Sequence, residues 1–261
     1  MLGSFVFRAA TIAYSTSGKG RAILLIHGFL GAKEIWKELE GQLAKQFKVV
    51  SIDLPGHGQS ECIGYVHNME LLATCCRGLL THLSIRKAVV VGHSLGGYVS
   101  LAFGEQFPDS VIGLMLVNST AKGDSAKRKK SRDQLIKLVK KDRSKILTSL
   151  VPGFFNLKNP ATAAHIKSYL HMANECSEQS IIATAEGMKI RKEREIVLKF
   201  APYHYHYIIG AQDSILNSEQ LKSETQIGVN GSYSLLEDAS HMSLVESKDE
   251  VFKAIKSFSK R

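Results

Sequence analysis

The sequence predicts an α/β protein in which a mostly parallel central sheet is flanked by helices and interrupted late in the chain by an all-helical insertion. Short runs such as Ala22–Ile26 are apolar throughout, as strands buried on both faces must be. Stretches with helical spacing of apolar residues alternate with them. Between residues 122 and 199, by contrast, no strand-like run occurs.

Residues 5–16 read as an antiparallel hairpin at the sheet edge. Strands are expected at residues 22–26, 47–52, 88–91 and 112–117, with helices near 35–46, 69–83 and 95–106. The alternation resumes after residue 200 with a strand at 204–209, a helix at 218–225, a strand at 232–236 and a terminal helix over 246–259. Between the two parts, Leu135, Leu138, Val139 and Ile146 recur at helical spacing, and Pro152-Gly153 and Asn159-Pro160 punctuate the segment. The expected organisation is a core made of residues 1–121 and 200–261, with residues 122–199 as a helical lid.

A chain of 261 residues with 44% hydrophobic and 22% charged side chains has ample material for one large folded domain. The start, Met1 to Arg8, lacks the basic region and apolar run of a secretory signal, and no stretch has membrane-spanning length, so a cytoplasmic protein is expected. Cys62, Cys75, Cys76 and Cys176 fit no common disulfide or zinc spacing and read as free thiols. The net charge of +10 is concentrated: residues 122–199 hold 18 Lys or Arg against 8 Asp or Glu, and the remainder holds 16 of each.

The chemistry concentrates first in Gly92-His-Ser94-Leu-Gly96-Gly97, at the end of a buried strand and the start of a helix. A turn that sharp strains its central residue and needs small neighbours, and it presents the Ser94 hydroxyl beside a helix N-terminus that favours developing negative charge. Here the sequence resembles the α/β-hydrolase family, whose nucleophile elbow is G-x-S-x-G. A serine nucleophile needs a general base oriented by an acid. In the order that the resemblance implies, His241 in Asp238-Ala-Ser-His241 is the base and Asp213, on the loop after Tyr207-Ile-Ile-Gly-Ala-Gln, is the acid. Asp124 is the rival acid, because some relatives take it from the preceding strand; Asp238 lies too close to His241.

The resemblance also implies an oxyanion hole formed by the backbone N–H groups of Leu95 and of Phe29 in His27-Gly-Phe29-Leu30-Gly31. Asp53-Leu-Pro-Gly-His57-Gly-Gln-Ser60 matches a further turn common in the family, with no chemistry assigned to His57 or to His27. By loop position, Phe29, Leu30, Leu95, Met242, Phe154 and Phe155 are expected around the substrate. The four motifs cover residues 20–120 and 203–258; nothing specific covers the insertion.

Gly56-His-Gly58 lacks the third glycine of a dinucleotide fingerprint, no phosphate loop occurs, and metal-ligand spacings are missing, so neither a cofactor nor a metal is expected. Neither a nucleic-acid nor a membrane partner is expected. The basic segment, with Lys127-Arg-Lys-Lys130 and Lys140-Lys141, reads either as a solvated helix face or as an attractor of an anionic small-molecule substrate. The function expected is that of a carboxylesterase-like serine hydrolase acting on a small ester or thioester through an acyl-enzyme. A carbon–carbon bond hydrolase or lyase of the same fold, or a small-molecule receptor, are the alternatives, and the oligomeric state is left open.

Overall fold

The computed structural model describes residues 1–261. Eight strands form one sheet: β1 (Leu2–Phe7), β2 (Ala10–Ser17), β3 (Ala22–Ile26), β4 (Lys48–Ile52), β5 (Ala88–His93), β6 (Val111–Val117), β7 (Tyr205–Gly210) and β8 (Gly231–Leu236). Their order across the sheet is β1-β2-β4-β3-β5-β6-β7-β8. The first two strands pair antiparallel at one edge, and every pair from β4 to β8 is parallel. The α/β class expected from the apolar runs is therefore the class observed.

Every residue of β3 and β5 is buried, because helices cover both faces of the sheet centre. The helices are α1 (Lys37–Leu43), α2 (Met69–His82), α3 (Leu95–Gln106), α4 (Ala126–Leu150), α5 (Thr162–Glu175), α6 (Glu178–Lys189), α7 (Glu195–Lys199), α8 (Ser218–Glu224), α9 (Ser243–Glu246) and α10 (Lys248–Lys260). The hairpin extends further than expected, to Leu2 and Ser17. The helix expected over 35–46 is divided into a 3-10 turn, Lys33–Trp36, and α1. The terminal helix is likewise divided at Ser247, whose φ of −129° and ψ of 49° leave helical space.

Between β6 and β7 the chain forms only helices and one 3-10 turn. Side-chain caps start two of the helices: Ser125 accepts from Arg128 N, and Ser177 accepts from Ser180 N. Within α4, Asp142 leaves helical space (φ −161°, ψ 87°) and its carboxylate accepts from Lys145 N, so it caps a new turn and kinks the helix. No helix is long and apolar enough to cross a membrane. All four cysteines are free, three of them buried.

Burial leaves an acid-sensitive core. Desolvation lowers His27, His67 and His206 to about 4, and His57 and His93 to about 3. Each binds its proton more weakly in the folded chain than in the unfolded one, where the value is about 6.5. As the pH falls below about 6.5 the unfolded state therefore gains protons first, and stability declines until the folded values are reached. We expect a loss of about 2 kcal/mol per histidine at pH 5. Scanning calorimetry should show a Tm that drops between pH 7 and 5, and a flat profile there would contradict it.

Candidate active site

The nucleophile position follows from backbone packing. Ser94 joins β5 to α3 with φ 50° and ψ −113°, a conformation that costs energy for a residue with a Cβ. Its neighbours are the glycines that make the turn feasible: a Cβ on Gly92 would lie 2.2 Å from Gly96 O, and one on Gly96 would lie 2.2 Å from Ile26 O. Ser94 N donates to Val117 O (2.9 Å) and Ser94 O accepts from Ser119 Oγ (2.7 Å), so both sides of the strained residue are tied to β6 and its following loop.

Ser94 Oγ lies 2.9 Å from His241 Nε2, and His241 Nδ1 lies 2.8 Å from Asp213 Oδ2. Three loop ends supply the three side chains, those following β5, β7 and β8. Asp213 is fixed from both oxygens: Oδ1 accepts from Ile215 N (2.8 Å) and Leu216 N (3.1 Å), and Oδ2 also accepts from Asn118 Nδ2 (3.0 Å). Burial pushes its pKa up, but the charge and hydrogen bond of His241, with those from Asn118 and Ile215, outweigh that and hold the carboxyl below its ordinary range. Asn118 also donates to Ser240 O (3.1 Å) and accepts from Ser243 Oγ, which ties the acid to the histidine loop. On the other side, His93 Nε2 donates to the carbonyl of His241 (2.9 Å). Asp124, the rival acid, is instead engaged by Arg128, Arg132 and Arg191.

Leu95 N and Phe29 N make no hydrogen bond within the chain. Gly28 lies so close to His93 that an added Cβ would meet Nδ1 at 2.6 Å, which brings the loop from β3 against the elbow. The helical insertion holds this loop in place: Tyr169 of α5 donates its hydroxyl to Phe29 O (2.7 Å) and is buried. Because that bond fixes the peptide next to the donor amide, Tyr169→Phe should lower kcat about tenfold with little change in KM. Steady-state kinetics on one ester would test it, and an unchanged kcat would deny Tyr169 this part.

A cavity of about 220 Å³ opens above Ser94, lined among others by Phe29, Tyr98, Leu135, Leu150, Phe154 and Tyr169. Phe154 also approaches His241 (6.1 Å between ring centroids), and its carbonyl accepts from Ser240 Oγ (2.7 Å). Four expected pocket residues are elsewhere, among them Leu95, whose side chain is wholly buried in the core. Leu30 has φ 65° and is wholly buried in the core. Phe155 packs against Tyr169 (6.0 Å), and Met242 lies in the core.

The solved thermophilic esterase from Thermogutta terrifontis, described with malate bound, superposes with a TM-score of 0.93, covers 100% of this chain and 98% of its own, and is 26% identical. The enol-lactonase from Burkholderia xenovorans LB400 superposes with a TM-score of 0.92 over 99% of this chain and 100% of its own, at 20% identity, a likeness of fold alone. A family model described as the alpha/beta hydrolase fold matches residues 21–142. The chain has the α/β-hydrolase fold over its whole length. Among curated relatives, an uncharacterized protein of Mycobacterium tuberculosis is 41% identical over 107 residues, which is 41% of this chain and 31% of that protein. The chain thus spans about a third of that relative's length.

Within this fold, Asp53 accepts from Lys33 N and Nζ (both 2.7 Å), and a Cβ on Gly58 would run into its carboxylate. The turn around His57 is therefore held by a buried ion pair. No three His, Cys, Asp or Glu side chains are grouped so as to hold a metal ion. Sequence reasoning missed His93, Asn118, Tyr169 and Arg132, and named Arg128 only as part of the basic run Lys127-Arg-Lys-Lys130. His93 had a signal, its place inside the elbow motif; the others depend on contacts between residues distant along the chain.

Proposed function

We propose that this protein is a serine hydrolase that cleaves a small carboxylester through an acyl-enzyme, with the helices over 122–199 acting as the lid of its site. The observation that carries this reading is the continuous hydrogen-bonded series from Ser94 Oγ through His241 to Asp213, set on a strained elbow beside two free backbone amides. His241 Nε2 takes the Ser94 proton as Oγ bonds to the ester carbonyl carbon. The electron pair of the carbonyl moves to its oxygen, which the N–H groups of Phe29 and Leu95 receive. When the tetrahedral species collapses, the C–O bond to the alcohol breaks and the alkoxide takes the proton from His241. Water then repeats the sequence on the acyl-enzyme, with the same base and the same acid. Asp213 stays ionised and keeps the imidazole in the tautomer that both steps need.

The cavity supports a small-molecule substrate, and the 26% identical esterase that shares the fold supports ester chemistry. The test is covalent. A fluorophosphonate probe should label the protein with one equivalent, and mass spectrometry should place it on the peptide holding Ser94. Labelling elsewhere, or none while the chain is folded, would defeat the proposal.

A further inference from the structure

The basic insertion divides into two faces. Lys127, Lys129, Lys130, Lys140 and Lys141 are exposed, and a solvated helix surface accounts for them. Arg128 and Arg132, one turn apart on the same helix, turn inward and line the cavity with Ser94. They are its only lining side chains with a full charge, amid Phe, Leu, Met, Ile and Tyr.

Their charge is not neutralised by the chain. Asp124, whose side chain is fully buried, meets Arg132 Nε at 3.2 Å, Arg128 Nε at 3.5 Å and Arg191 Nη1 at 2.5 Å. One carboxylate among three guanidinium groups leaves two positive charges uncompensated. Arg191 is satisfied by Asp124, Lys122 O and Met188 O, and stacks on the Tyr98 ring at 3.9 Å. Arg128 Nη1 donates to Ile215 O (2.9 Å), while Arg128 Nη2 and both Nη groups of Arg132 bond nothing within the chain. Partly sheltered cations in an apolar cavity are costly without a counter-charge, and a guanidinium fork matches a carboxylate in geometry.

We infer that Arg128 and Arg132 form a carboxylate-binding subsite, so that the substrate is an ester bearing a carboxylate apart from its scissile group. This rests on the hydrolase reading above. Asp124, itself held by Arg191, is a positioning residue, holding the two arginines by one face and leaving the other toward the cavity.

Two matched pairs of esters test the inference on the intact chain. In the first pair, p-nitrophenyl hexanoate and mono-p-nitrophenyl adipate, the carboxylate is on the acyl side. In the second, phenyl acetate and p-acetoxybenzoate, it is on the leaving group. The parent should favour the charged member of at least one pair in kcat/KM by about tenfold or more. In Arg132→Gln and Arg128→Gln the charged-to-neutral ratio for that pair should fall by a similar factor, a readout that loss of folded protein cannot move. Arg132→Lys should restore only part of it, since an ammonium lacks the fork. Ser94-dependent hydrolysis with no preference in either pair, or a ratio unmoved by both variants, overturns the subsite and leaves the hydrolase reading standing. Failure to hydrolyse any of the four esters through Ser94 removes both.

Discussion

Ser94→Ala is expected to lower kcat for ester hydrolysis by at least about 10⁴-fold while leaving substrate affinity close to that of the parent. The loss is large because the variant has no covalent route, whatever the state of His241. The residue sits at a strained turn with φ 50°, and alanine meets the same backbone penalty as serine, so the fold should survive. What activity remains should come from the amides of Phe29 and Leu95 acting on direct water attack. The measurement is kcat and KM for a p-nitrophenyl ester, with Tm recorded alongside. A Ser94→Ala enzyme as fast as the parent would turn the reading toward a receptor that uses the fold only to bind.

Asp213→Asn should cost about 10⁴-fold in kcat through a different cause. An amide in place of the carboxylate presents its NH₂ or its oxygen to His241 Nδ1. With its neighbours Asn118 Nδ2, Ile215 N and Leu216 N all donating to this side chain, the group no longer matches its surroundings. The imidazole loses the partner that fixes its tautomer and that balances the imidazolium formed in each step. Asp124→Asn separates the two candidate acids. Its carboxylate holds Arg128, Arg132 and Arg191, so its loss should appear as about 3 kcal/mol of lost stability, with a much smaller fall in kcat than that of Asp213→Asn. If Asp124→Asn proved the more damaging to kcat, the assignment of the acid would have to be reversed.

The glycines around Ser94 and the apolar strands beside them were legible because the constraint is local. A Cβ at Gly92 or Gly96 collides with backbone a few residues or one strand away, so only one residue type is tolerated and it shows in the letters. The same holds for β3 and β5, where burial on both faces demands an apolar side chain at nearly every position. His241 and Asp213 were legible by their order along the chain in a familiar fold, not from any physical signal of their own. Their meeting is a property of the parallel strand order, which brings the loops after β5, β7 and β8 to one edge.

The sequence by itself therefore determined the α/β class, the elbow and the helical character of the insertion, since each depends on residues close together or on the period of burial. Only the tertiary structure decided which insertion side chains face the cavity. Leu30, Phe155 and Met242 were as plausible by position as Phe154, yet they are turned into the core. Arg128 looked like its lysine neighbours until α4 was packed against α5 and α6. The direction of a side chain depends on which face its helix or loop buries, and that is fixed by packing between segments whose separation in sequence carries no trace of it.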